Sequence, residues 1–188
     1  MIRFTRSASP RLLRQHCTEI GRDFEARPRA FVWPQREGQS LGVVARDALR
    51  RDQAGFCAFC DGSDFEAQAT PEVEHFRPVA LFPRLVAAWT NLFWACPACN
   101  NAKRAQFVEE LLRPDAHAYE FDRYFQFNAL NGELEPNPRA GSEDALRARE
   151  TIRIFGLNRP ALATQRRKVF TGERVMDAYR YIERVSVD

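Results

Sequence analysis

Two Cys-x-x-Cys pairs, Cys57-Ala58-Phe59-Cys60 and Cys96-Pro97-Ala98-Cys99, frame the part of the chain richest in chemistry. Each pair can turn two sulfurs toward one point, and two pairs supply the four ligands of a tetrahedral cation. In a reducing compartment such cysteines read as metal ligands before disulfides. A Zn²⁺ held by four thiolates keeps no open position for substrate. Cys57, Cys60, Cys96 and Cys99 are therefore expected to bind a structural zinc, with any reaction elsewhere. The fifth cysteine, Cys17, is expected to be an ordinary buried thiol. The gap from Cys60 to Cys96 is 35 residues, longer than a compact zinc ribbon needs, so the insert must carry structure of its own.

Inside and just after that insert stand Glu74-His75-Phe76-Arg77-Pro78, Trp89-Thr90-Asn91-Leu92, and Asn100 followed by Lys103. In this order these residues resemble the HNH endonuclease family, whose fold is the ββα-metal finger. That pattern has an acid-His pair on a strand, an Asn in the following loop and a His or Asn at a helix start; Glu74-His75, Asn91 and Asn100 fill those places. The physical logic agrees. Phosphodiester cleavage needs a water made nucleophilic and a cation beside the developing charge. His75 titrates near neutral pH and suits the general base. Glu74 and Asn100 would offer oxygens to one divalent ion, and so few protein ligands suit Mg²⁺ or Mn²⁺. The family's middle Asn, here Asn91, ties the loop to the strand and orients the His.

Neighbours on a strand point to opposite faces, so Glu74 and His75 can serve one site only if the strand twists or ends there. Pro78 makes such an end plausible. Glu in place of the commoner Asp adds a methylene, which leaves direct and water-mediated contact with the ion both open. Lys103 lies three residues beyond Asn100, on the same helix face. It could touch a phosphate, as could Arg77 and Arg104. His16 and His117 fall outside the motif and are given no role.

Glu-His-Phe-Arg-Pro, Trp-x-Asn-Leu and Ala-Cys-x-x-Cys-Asn-x-x-Lys further resemble the HNH subunit of Septu antiphage systems, a subunit also found with some retrons. The likeness extends to Ile2-Arg3-Phe4-Thr5-Arg6, to the segment from Asn131 to Pro136, and to that from Ala148 to Asn158. It implies an effector of antiviral defence that works with an ABC/OLD-like ATPase, on which the C-terminal helices would dock. DNA is the family's usual target, with tRNA or other RNA as the other possibility. No base-reading helix or RNA motif separates them.

The elements that must position these residues follow from periodicity. Apolar residues at helical spacing predict helices over Pro10–Phe24 and Ser40–Gly55, the second capped by Ser40 and feeding directly into Cys57. Alternation predicts a short strand over Glu72–Phe76. Pro97 suits the first turn of a helix running to Phe107 or Leu112. Asn131-Gly132 between alternating segments predicts a hairpin. A helix from a Ser142 cap to Phe155 is closed by Gly156, and another begins at Pro160 with Leu162, Val169, Met176, Tyr179 and Ile182 along one face.

The expected class is α+β: a mainly helical domain carrying a ββα-metal finger, a structural zinc site of four cysteines and a small β-hairpin. Three regions are expected: an N-terminal arm and supporting helix over 1–56, a nuclease core with the zinc knuckles over 57–112, and hairpin and C-terminal helices over 113–188. A chain of 188 residues with 45% apolar content can bury a real core. The net charge of +3 permits a nucleic-acid partner without arguing for one. No apolar run approaches a membrane span and no signal peptide is evident, so the expected compartment is the cytoplasm. The rival reading is a zinc-dependent nucleic-acid-binding or adaptor module without catalysis. It would need the cysteines but not Glu74, His75 and Asn100 together.

Overall fold

The structure, a computed structural model, describes residues 1–27, 30–63, 72–173 and 179–182. In chain order the elements are α1 (Arg11–Ala26), β1 (Gln35–Arg36), β2 (Gln39–Ser40), α2 (Leu41–Asp52), β3 (Glu72–His75), β4 (Leu92–Ala95), α3 (Pro97–Lys103), α4 (Phe121–Tyr124), β5 (Phe125–Asn128), β6 (Glu133–Pro136), α5 (Ser142–Ile154) and α6 (Pro160–Phe170). The result is a mixed helical fold with small antiparallel ribbons: β1 pairs with β2, β3 with β4, and β5 with β6.

Two apolar cores lie on either side of the β3–β4 ribbon. One gathers Leu12, Leu13, Ile20 and Phe24 of α1 with Leu41, Ala45 and Leu49 of α2. The other gathers the four cysteines, the β5–β6 hairpin and α5 with Leu162 of α6. β4 explains how one ribbon serves both. Leu92 and Trp94 enter the first core, whereas Phe93 and Ala95 enter the second. All four are buried. A strand packed on both faces reads as a continuous apolar run, and large apolar side chains of this kind each contribute about 1.5–3 kcal/mol on burial.

Several elements differ from the sequence expectation, each for a local reason. α3 stops at Lys103, because Arg104 turns to a positive φ of 48°. Ser40 and Ser142 make no side-chain cap; Ser40 is instead held in the β1–β2 ribbon, and Gly141 occupies the cap position of α5. The β5–β6 loop spans four residues, since Asn128 pairs with Glu133. Asn128 and Asn131 fold it by accepting the Leu130 and Glu133 amides through their Oδ1 atoms, at 3.0 and 2.9 Å. A Cβ on Gly132 would lie 2.0 Å from the Ala163 carbonyl oxygen, so α6 tolerates only glycine there. α6 ends at Phe170; Tyr179 and Ile182 are buried beyond it, and Met176 lies outside the described residues. Cys17 is half-buried against the first core. Among the described residues, no helix is long and apolar enough to cross a membrane.

Candidate functional site

The Cys57 turn begins just after α2, and the Cys96 turn leads from β4 into α3. Cys57, Cys60, Cys96 and Cys99 are all buried, and their sulfurs lie within 4.8 Å of one another. The Cys60 and Cys96 sulfurs are 3.8 Å apart, far beyond disulfide length, and all the cysteines are free thiols. A tetrahedral Zn²⁺ at the usual bond length of about 2.3 Å sets its sulfurs about 3.8 Å from each other. Backbone amides already donate to two sulfurs: Cys96 N to Cys57 Sγ and Cys99 N to Cys96 Sγ, each at 3.4 Å. Burial pushes the Cys57 thiol up, whereas hydrogen bonds from Cys57, Cys96 and Cys99 pull the Cys60 thiol down; four thiolates in this space would need a cation beside them. The donor set, spacing and burial fit a closed structural zinc.

The β3 strand sorts the motif residues by face. Glu74 points under α3, where its Oε1 accepts a 2.6 Å hydrogen bond from Lys103 Nζ. Lys103 is 0% exposed and Glu74 4%. Lys103 also donates to the His75 carbonyl oxygen at 2.8 Å, tying the end of β3 to the last turn of α3. Burial pushes the Glu74 carboxyl up to about 7, against the opposing pull of Lys103. Two residues earlier, on the same face, Glu72 accepts a short hydrogen bond from Asn100 Nδ2.

His75 turns the other way. Its ring stacks on Trp33 with centroids 6.2 Å apart and meets the edge of Phe31 at 5.9 Å. Its Nε2 lies 2.8 Å from the Val86 carbonyl oxygen. A carbonyl only accepts, so Nε2 carries the proton and Nδ1 is left with the free lone pair. Burial pushes the imidazole down to about 4; the Val86 carbonyl opposes this and the Lys103 charge adds to it. The ring is therefore neutral at physiological pH, and it titrates well below the near-neutral range expected from the sequence, because it is buried.

Asn91 staples the loop after β3. Its Oδ1 accepts from Arg77 N at 2.8 Å, and its Nδ2 donates to the carbonyls of Arg77 and Leu85 at 3.0 and 3.2 Å. Its own carbonyl accepts from Phe76 N at 2.9 Å. Val86, which holds His75, follows directly on the loop so pinned.

The predicted residues thus fall into groups. Glu74, Asn100 and Lys103 share the α3 side of β3, and His75 faces Trp33 at its end. Lys103 was expected to offer a phosphate contact, but it is enclosed and spent on Glu74, because a buried carboxylate needs a cation beside it. Arg77 is half-exposed, paired with Glu109 at 2.9 Å and lying over the rings of Phe82 and Phe107. Arg104 is exposed, its Nε bonded to the Asn101 carbonyl. His16 pairs with Glu19 at 3.3 Å and His117 lies at the surface. Sequence reasoning missed Glu72, although Glu72-Val73-Glu74 puts both carboxylates on one face of a strand. It also missed Trp33 and Phe31, for which spacing carries no signal: they meet His75 only through tertiary packing.

No protein-family model matches the chain. A stretch of 47 residues, 25% of this chain and 18% of the relative, is 40% identical to the Septu protein PtuB of Bacillus thuringiensis. The likeness thus spans under a fifth of that relative's length.

Proposed function

We propose that the protein is a metal-dependent HNH-type endonuclease, an effector of a Septu-like antiphage system. The observation that supports this best is that the acid-His pair, the loop Asn and the helix Asn are all carried on one β3–β4–α3 unit beside the four-sulfur cluster, with Glu74 and Asn100 on the α3 side of β3 and His75 at its end. Glu74 and Asn100, with Glu72 beside them, are the residues that would hold a Mg²⁺ or Mn²⁺; Lys103 takes only one of Glu74's two oxygens. When bound, that ion supplies positive charge at the scissile phosphate. His75 Nδ1 takes the proton of the attacking water as its oxygen bonds to phosphorus, and the bond to the leaving oxygen breaks, the departing alkoxide taking its proton from solvent. Val86 fixes the tautomer this step requires, and Asn91 pins the loop at Leu85, one residue before it. Arg104 and Arg77 lie at the surface where a phosphate backbone could be met. DNA is favoured over RNA as substrate, and the C-terminal helices are the proposed dock for an ABC/OLD-like, PtuA-type ATPase in the cytoplasm.

A second reading, a non-catalytic zinc-stabilised module, draws on the Glu74–Lys103 pair, which neutralises the acid without a divalent ion. Incubating the chain, alone and with the ATPase, with DNA and tRNA in Mg²⁺ or Mn²⁺ separates the two. Cleavage that EDTA stops supports the enzyme; binding without cleavage by either preparation supports the module.

A further inference from the structure

A buried zinc bound by four thiolates carries a net charge of −2, which burial makes costly unless donors or cations face it. Arg159 faces it. Its Nη1 lies 3.6 Å from Cys99 Sγ and its Nη2 3.9 Å from Cys96 Sγ. Nη1 also donates to the Gly156 carbonyl at 3.1 Å, which holds the guanidinium in its own turn. Among the described residues Arg159 has no carboxylate partner, so its charge is directed at the sulfurs.

The whole turn around Arg159 is built onto the cysteine site. Phe155 stacks on Phe59, the residue inside the first Cys-x-x-Cys pair, with centroids 3.8 Å apart. Gly156 has a φ of +57°, and a Cβ there would come within 3.1 Å of the Ala102 side chain on α3. Asn158 grips the hairpin by two 2.8 Å hydrogen bonds with the Leu134 amide and carbonyl. One short segment therefore joins the hairpin, α3 and two of the sulfurs.

We infer that Arg159 is a positioning residue of the metal centre, a bidentate outer donor to the Cys96 and Cys99 thiolates that couples metal loading to the anchoring of the C-terminal half. This rests on the reading of the four cysteines as a zinc site. Outer-shell hydrogen bonds orient ligands and tune affinity. They also lower the energy of the sulfur lone pairs, so their loss moves sulfur-to-metal charge transfer to longer wavelength.

The test uses the full-length chain. Zinc affinity is measured by competition with a chromophoric chelator, and the Co²⁺-substituted protein is followed by absorption. Arg159→Met is expected to weaken zinc binding by about ten- to hundredfold and to shift the thiolate–cobalt band to longer wavelength. Arg159→Lys, which can reach one sulfur but not present a fork, gives a smaller change in both and serves if the methionine variant does not fold. Asn158→Ala loosens the same turn from its other side and leaves the band where it is. A wild-type band and affinity in the Arg159 variants, or an equal shift in Asn158→Ala, overturns the inference while the zinc site stands. A wild-type chain that takes up neither metal overturns both.

Discussion

Lys103 Nζ and Glu74 Oε1 meet at 2.6 Å in the interior, with both side chains closed off from solvent. An ion pair in that setting costs much to break from one side, because the remaining charge is stranded. Lys103→Met should therefore destabilise the fold by about 3–5 kcal/mol in urea titration, while Lys103→Met with Glu74→Gln should recover most of that loss. Additive effects would mean that the pair is not coupled.

A second prediction concerns the metal. The purified chain should carry one equivalent of zinc by elemental analysis, and Cys60→Ser should lose it together with more than about 10 °C of melting temperature, since a site absent from the unfolded chain returns its binding energy as folding energy. A soluble, zinc-free Cys60→Ser protein with wild-type melting would refute the clamp.

The sequence carried the four sulfurs and the β3, α1, α2, α5 and hairpin segments because each rests on a local rule: ligand spacing, alternation, helical period, or Asn-Gly beside strand residues. It did not carry the short length of α3, since the break at Arg104 is a backbone conformation without a compositional mark. Nor did it carry the partner of Lys103. Spacing placed Lys103 on the face of Asn100, and only the depth of Glu74 under α3 decides that this face looks inward. Trp33 and Arg159 join their sites from segments far away, so packing alone reveals them, whereas strand alternation already placed Glu72 on the face of Glu74.

Asn91 offers a local test. Asn91→Ala strips partners from the Arg77 amide and from the carbonyls of Arg77 and Leu85. Orphaned buried groups cost about 1–3 kcal/mol each, and these part-buried ones fall at the lower end. The melting temperature should drop, and amide exchange at Arg77 should accelerate before global unfolding. Unchanged protection there would show that the staple does not hold the loop.

Acid sensitivity should trace in part to Asp115. Burial alone would raise its carboxyl, but hydrogen bonds and charge from Arg113 and Arg6 outweigh this and hold it below the usual carboxylate range. Arg6 reaches it at 2.8 Å and Arg113 at 2.9 Å. A depressed folded-state value adds stability above the unfolded-state value and loses it as pH falls through the folded one. Asp115→Asn should cost about 2 kcal/mol at pH 7 and flatten the loss of stability below about pH 4. An acid limb as steep as the wild type's would assign that sensitivity to other groups.

The central claim is that His75 takes a proton from water at a cation-dependent phosphodiester site. Its most direct measurement is cleavage of labelled DNA and tRNA with Mn²⁺ by the chain co-expressed with the proposed ATPase partner, run beside an EDTA control and His75→Ala. The account predicts cleavage that EDTA abolishes and that His75→Ala reduces by about 10²–10⁴-fold, with fold and zinc content unchanged. Cleavage undiminished in His75→Ala, or neither nucleic acid cut by the wild-type complex, would contradict it.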